Sequence, residues 1–112
     1  MYEIRNYHFA PERIADYRAW ATDHALPYLK RELDLVGFWL NTDIEPEVLG
    51  VQTDELGTAN ITWIIRWQDA AERDRRMAEV FSTDEWQAIF EQVPGGLESY
   101  LRRESKMAES LV

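Results

Sequence analysis

The sequence predicts an α+β fold of ferredoxin-like order, β-α-β-β-α-β with an antiparallel sheet, that pairs with a second copy of itself. Three observations lead there. Four β-rich runs lie at residues 2–9, 35–42, 60–67 and about 97–106. Segments of helical periodicity fill the gaps after the first and third runs. The second run is apolar on both of its faces, so it asks for cover on both sides.

Residues 2–9 alternate, with Tyr2, Ile4, Asn6 and His8 on one face and Glu3, Arg5, Tyr7 and Phe9 on the other. Pro11 then opens a helix that extends to about Arg31, since proline is tolerated in a first turn. Ile14, Tyr17, Ala21, His24, Ala25 and Tyr28 fall on one stripe at helical spacing, with Trp20 at its edge. Pro27 cannot donate to the carbonyl of Asp23, which predicts a kink or break beside His24. In residues 35–42, Leu35, Gly37 and Trp39 alternate with Val36, Phe38 and Leu40. Helices can cover one of these faces. The other needs a second sheet, and a chain of 112 residues has none to spare.

Residues 43–59, with Pro46, Gly50 and Gly57, read as a long hairpin connection, and 60–67 as the third strand with Ile61, Trp63, Ile65 and Trp67 on a shared face. Asp69 is the expected N-cap of a helix over 70–80, and Thr83 or Asp84 that of a helix over about 84–92. Pro94-Gly95-Gly96 ends it, and the last strand follows. One domain, residues 1–112, accounts for the length.

The net charge is −9, and Asp43, Glu45, Glu47, Asp54 and Glu55 cluster in the long connection with no Lys or Arg between them. An acidic chain with no basic stripe argues against nucleic acid or an anionic membrane as partner. The chain has no cysteine, which excludes disulfides, thiolate metal sites and a cysteine nucleophile. No apolar run approaches the roughly 20 residues of a membrane span, and no signal peptide is recognised, so the expected compartment is the cytoplasm.

Tyr2-Glu3-Ile4-Arg5 with Tyr7, Leu35-Val36-Gly37-Phe38-Trp39, the run Trp67 to Arg76, Asp84-Glu85-Trp86-Gln87 and Arg103-Glu104-Ser105 resemble, in order and spacing, the segments of NIPSNAP domains. The resemblance covers nearly the whole chain. It implies a protomer whose sheet packs on its twin's to form a dimeric α+β barrel. It implies a small-molecule site between the helices and the sheet, a superfamily that includes cofactor-free oxygenases and haem-degrading enzymes, and Arg5, Tyr7, Phe9, Trp63, Ile65 and Trp67 facing the helices. The histidine that the haem-degrading relatives carry on the second helix has no counterpart in residues 70–80. In the cofactor-free oxygenases a Trp and an Asn are implicated, for which Trp67 and Asn6 or Asn60 are the nearest matches.

Each candidate residue has a structural and a functional reading. Arg5, on a strand buried on both sides, is either an ion pair with Glu3, Glu104 or a helix acid, or a clamp for a carboxylate, phenolate or enolate. His24 is either a core histidine bonded to a freed carbonyl or a general acid/base. Trp39, Trp63 and Trp67 are either core or the wall of a flat aromatic slot, with Tyr7 beside them. Two histidines are too few for a metal site, so no metal and no cofactor is expected. The functional expectation is a homodimer that binds a small aromatic or anionic ligand through Arg5, Tyr7, His24, Trp39, Trp63 and Trp67. If it is an enzyme, the expectation is cofactor-independent chemistry, monooxygenase-like or isomerase/cyclase-like, on an aromatic or enolisable substrate. The competing expectation is a non-catalytic dimeric binding or interaction protein.

Overall fold

The computed structural model describes all 112 residues. A four-stranded antiparallel sheet has the order β2-β3-β1-β4, with strands β1 (Tyr2–Phe9), β2 (Leu35–Leu40), β3 (Ile61–Arg66) and β4 (Tyr100–Ala108). Helices α1 (Ile14–Trp20), α2 (Leu26–Glu32), α3 (Ala70–Val80) and α4 (Asp84–Phe90) carry the rest of the regular structure. The helix caps are those the side chains predict. The Asp69 carboxylate accepts from the Glu72 amide at 2.8 Å, and the Thr83 hydroxyl accepts from the Trp86 amide at 3.1 Å. The Glu72 side chain in turn accepts from the amide of Gln68, the residue before the cap.

The core lies between the helices and one sheet face. Phe9, Ile61, Ile65 and Tyr17 are almost wholly buried there, with Ala25, Tyr28 and Leu29 from the helices. The Tyr28 hydroxyl donates to the Val80 carbonyl at 2.6 Å and lies 2.7 Å from the Thr83 hydroxyl, which ties α2 to the end of α3.

The long connection over residues 43–59 has no regular structure and is exposed apart from its last residue. Asp54 reaches back to Arg102 of β4 at 2.8 Å. His8, on the sheet face away from the helices, is buried and shares a cavity with residues of this loop. No helix is long and apolar enough to cross a membrane.

Two features depart from the regular periodicities. The expected break at Pro27 is instead a π turn, Ala21–Ala25, and the chain stays helical through it; the Leu26 amide bonds to the Ala21 carbonyl, five residues back. Strand β2 carries an irregularity between Leu35 and Gly37, where Leu35 pairs with Ile65 and Gly37 with the adjacent Ile64. Beyond it Phe38 pairs with Trp63 and Trp39 with Thr62. The extra residue reverses the alternation, so Leu35, Phe38 and Leu40 share the helix side and Trp39 faces away.

Candidate functional site

A cleft of about 630 Å3 opens between the sheet and the helices. Its floor comes from inward-facing residues of adjacent strands: Arg5 and Tyr7 on β1, Trp63 on β3, Phe38 on β2, and Tyr100 and Arg103 on β4. Tyr17, Trp20, Ala25 and Leu29 line it from the first helical segment, and Met77, Phe81, Trp86 and Phe90 from the second. The rings meet edge to face or stacked: Tyr7 with Trp63 at 6.2 Å, Tyr7 with Tyr100 at 5.7 Å, and Phe90 with Tyr100 at 6.1 Å between centroids. These contacts explain a rigid aromatic wall without invoking a ligand.

The charges are less ordinary. Glu3 is completely buried beside the cleft and sits at the centre of an ionic cluster. Its carboxylate accepts from Arg5 Nε at 2.6 Å, from Arg73 Nε at 2.9 Å and from Trp67 Nε1 at 3.1 Å. Burial, the largest single influence, pushes the Glu3 carboxyl up, but the hydrogen bonds and charges of Arg73 and Arg5 together outweigh it and hold it below its ordinary value. The same carboxylate raises the Arg73 guanidinium, chiefly through the hydrogen bond between them. Arg5 also donates from Nη1 to the Tyr7 hydroxyl at 2.8 Å, and its guanidinium lies 5.1 Å from the centre of the Trp63 ring. A guanidinium has five N–H groups, so three of those on Arg5 remain for other partners.

Arg103 is exposed, makes no salt bridge and stacks 5.2 Å from the centre of the Tyr100 ring. Its position opposite Tyr7 in the β1–β4 ladder puts it beside Arg5 on the same face. Burial pushes up the phenols of Tyr17 and Tyr100, with Tyr7 adding to the effect on both; Tyr17 and Arg103 pull Tyr100 back only in part, so both phenols stay protonated. The Trp63 indole nitrogen is the one buried side-chain polar atom with no hydrogen-bond partner. The cleft therefore offers hydrogen-bond donors and positive charge inside an aromatic box.

The structure brings Arg5, Tyr7 and Trp63 together in this cleft and leaves the other three expected residues out of it. His24 is exposed on the outer side of the helix. The cause is the π turn: its wider winding keeps Ala21 and Ala25 of the expected stripe in the core and carries His24 out of it. Trp39 is half exposed on the opposite face of the sheet, because the β2 irregularity turns it over. The Trp39 ring lies over Gly37, where a Cβ would collide with it unless the ring moved. Trp67 is buried but stands behind the cleft, with its indole N–H bound to Glu3. Neither Asn6 nor Asn60 reaches the cleft; Asn6 accepts from Thr62, and Asn60 is bound to the backbone of Phe9. Arg103 is the cationic cleft residue that strand reading passed over, although its place opposite Tyr7 follows once the β1–β4 register is known. No group of three or more His, Asp or Glu side chains is placed to hold a metal ion.

No family model and no curated protein sequence matches the chain. Solved structures do. A NIPSNAP family protein of unknown function from Agrobacterium tumefaciens str. C58 superposes with a TM-score of 0.70 at 22% identity, covering 94% of this chain and 82% of that one. An uncharacterized NIPSNAP-like domain protein from Burkholderia xenovorans superposes with a TM-score of 0.73 at 18% identity, covering 99% and 86%. The fold is that of the NIPSNAP proteins. A protein from Bacteriodes thetaiotaomicron VPI-5482, named as a candidate antibiotic biosynthesis monooxygenase, is more distant: TM-score 0.61, 13% identity, 100% and 90% covered. The NIPSNAP fold places Arg5, Tyr7, Trp63 and Arg103 on one concave face, but a shared fold does not set the chemistry done there.

Proposed function

We propose that this protein binds a small aromatic anion, a carboxylate, phenolate or enolate, in the cleft between helices and sheet. The observation that carries the reading is the pair Arg5 and Arg103. Two guanidiniums stand on one aromatic-walled face, and the second has no acidic partner. A cleft of about 630 Å3 suits a ligand of one to a few rings. Planar guanidinium groups suit carboxylates and delocalised oxyanions, and the ring faces supply the apolar contact.

Where the ligand is also a substrate, the cleft's contribution is to stabilise an oxyanion. That fits cofactor-independent oxygenase or isomerase/cyclase chemistry on an aromatic or enolisable compound. A binding role without catalysis is the second reading, favoured by the place of His24 outside the cleft, which leaves the sheet side with donors and no base. The protein acts as a homodimer in this proposal, paired through the sheet face that no helix covers. Val36 and Trp39 are about half exposed on that face, at 50% and 49%.

Arg103→Gln tests the cleft directly, because an exposed side chain without an ion pair can be changed without loss of the fold. Titration calorimetry with 2-naphthoate should show affinity reduced about tenfold, the size of one hydrogen bond to a charged group, at an unchanged melting temperature. Equal affinity in the two proteins would refute the site.

A further inference from the structure

We infer that Glu3, Arg5 and Tyr7 form a relay that commits the Tyr7 hydroxyl to donating into the cleft, so that this edge accepts a bare oxyanion and rejects groups that bring their own N–H. The inference rests on the proposed ligand site and specifies what that site selects. A phenol has one proton to give. The Tyr7 oxygen already accepts from Arg5 Nη1 at 2.8 Å, and the Tyr7 proton has no acceptor within the protein. Arg5 cannot turn away, because Glu3 holds its Nε at 2.6 Å. Glu3 cannot turn either, because Arg73 of α3 and the Trp67 indole hold its Oε1 at 2.9 and 3.1 Å. Each bond polarises the next, from a buried carboxylate through a guanidinium to a phenol.

The Tyr7 ring is itself 7% exposed and fixed edge-on between Trp63 and Tyr100, so its hydroxyl direction is set by packing as well. Around it the sheet side offers further donors: the free N–H groups of Arg5 and those of Arg103. The acceptors Gln87 and Glu91 belong to α4 and the residue after it, and both are exposed. A ligand N–H placed against the Arg5 and Tyr7 edge would lose its water and meet donors there, and unmatched polar groups of this kind are the strongest ground on which a site can discriminate. Glu3 and Arg73 are positioning residues here; Tyr7 is the one that touches the ligand.

The test uses three probes with one ring system and different head groups: 2-naphthoate, 2-naphthamide and 2-naphthylmethylamine. Calorimetry on the full chain at neutral pH should rank the carboxylate at least about tenfold tighter than the amide, with the amine weakest. Tyr7→Phe keeps the ring in place and removes the donor. It should lower carboxylate affinity about tenfold and amide affinity less, narrowing the ratio between them. Glu3→Gln should narrow the same ratio, and by less when Tyr7→Phe is already present, because both act through Arg5. Should Glu3→Gln not fold, Arg73→Gln, which loosens the same carboxylate from outside, gives the same readout. An amide that binds as tightly as the carboxylate, or a ratio unmoved in Tyr7→Phe, overturns the relay while leaving the cleft as a binding site. Failure of all three probes to bind overturns the ligand site and the relay together.

Discussion

Changing Glu3 to Gln removes one negative charge from a position with no solvent exposure and leaves two guanidiniums facing it. Taking one partner from a buried ion pair costs about 3–5 kcal/mol. The Arg5 and Arg73 side chains keep 18% and 29% of their exposure, so water takes up part of the loss. A figure of about 2–3 kcal/mol follows. For 112 residues at about 2.1 cal/mol/K each, the unfolding entropy is about 240 cal/mol/K, so each kcal/mol moves the melting temperature by about 4 °C. Glu3→Gln should therefore melt about 8–12 °C below the native protein at pH 7. The gap should close in acid. The Glu3 carboxyl is held below its ordinary value of 4.5, so its contribution is full above that pH and is lost as acid protonates the folded state. Thermal unfolding followed by circular dichroism from pH 7 down to pH 3 measures both effects. A loss under about 2 °C at pH 7, or a gap that stays constant below pH 4.5, would show that the cluster does not hold the fold in this way.

Two further outcomes are expected. Val36→Asp leaves a lone protomer almost unaffected, since Val36 is half exposed there, but buries an unpaired charge in a dimer paired through the sheet. Sedimentation equilibrium should show a folded dimer for the native chain and dissociation for the variant; a native monomer at micromolar concentration would dispose of the pairing. His24→Gln, on an exposed helix surface, should change neither melting temperature nor naphthoate affinity beyond about 0.5 kcal/mol. A marked loss of binding in that variant would mean that His24 reaches the cleft after all.

The fold was legible because the strong signals in this chain are local and mutually consistent. Strand 2–9 appears with the bounds its alternation predicts, and Asp69 and Thr83 cap the helices whose starts they mark. The lining of the cleft was legible only on β1 and β3, whose side chains alternate without interruption, so Arg5, Tyr7 and Trp63 stand on the helix-facing side that alternation gives them. Both displaced residues lie where a regular period slips by one. At the π turn the wider winding carries His24 outward, and at the β2 irregularity the extra residue turns Trp39 over. Pro27 announced a disturbance without saying that the helix would widen rather than break. Gly37 was the clue in β2, because a glycine inside a strand often marks a bulge or a close approach. Trp67 faced the expected side but stands one residue past the end of β3, where its indole N–H meets the Glu3 carboxylate instead of lining the cleft.

Arg5 admits two readings from sequence, an internal ion pair or a ligand clamp, and the geometry makes them one. A guanidinium free in a cleft would sample many rotamers and would have to be ordered when a ligand arrived, at a cost of about 0.5–1.5 kcal/mol for such a side chain. Here Glu3 occupies the Nε edge and Tyr7 one Nη1 proton, which fixes the plane of the group while three N–H groups stay unclaimed. The ordering is therefore complete before binding. The same cluster ties α3 to β1 through Arg73, so the element that roofs one end of the cleft and the cation on its floor share a single buried carboxylate. Replacing Glu3, Arg5 and Arg73 together by Leu and Met would test that logic from the other side. Apolar residues of similar size often match or exceed a buried ionic cluster in stability. The triple variant should then fold as well as the native chain and bind naphthoate no better than free Arg103 alone can manage. Stability kept and affinity lost would separate what the cluster does for the fold from what it does for the ligand; affinity kept would mean that Arg5 never held the anion.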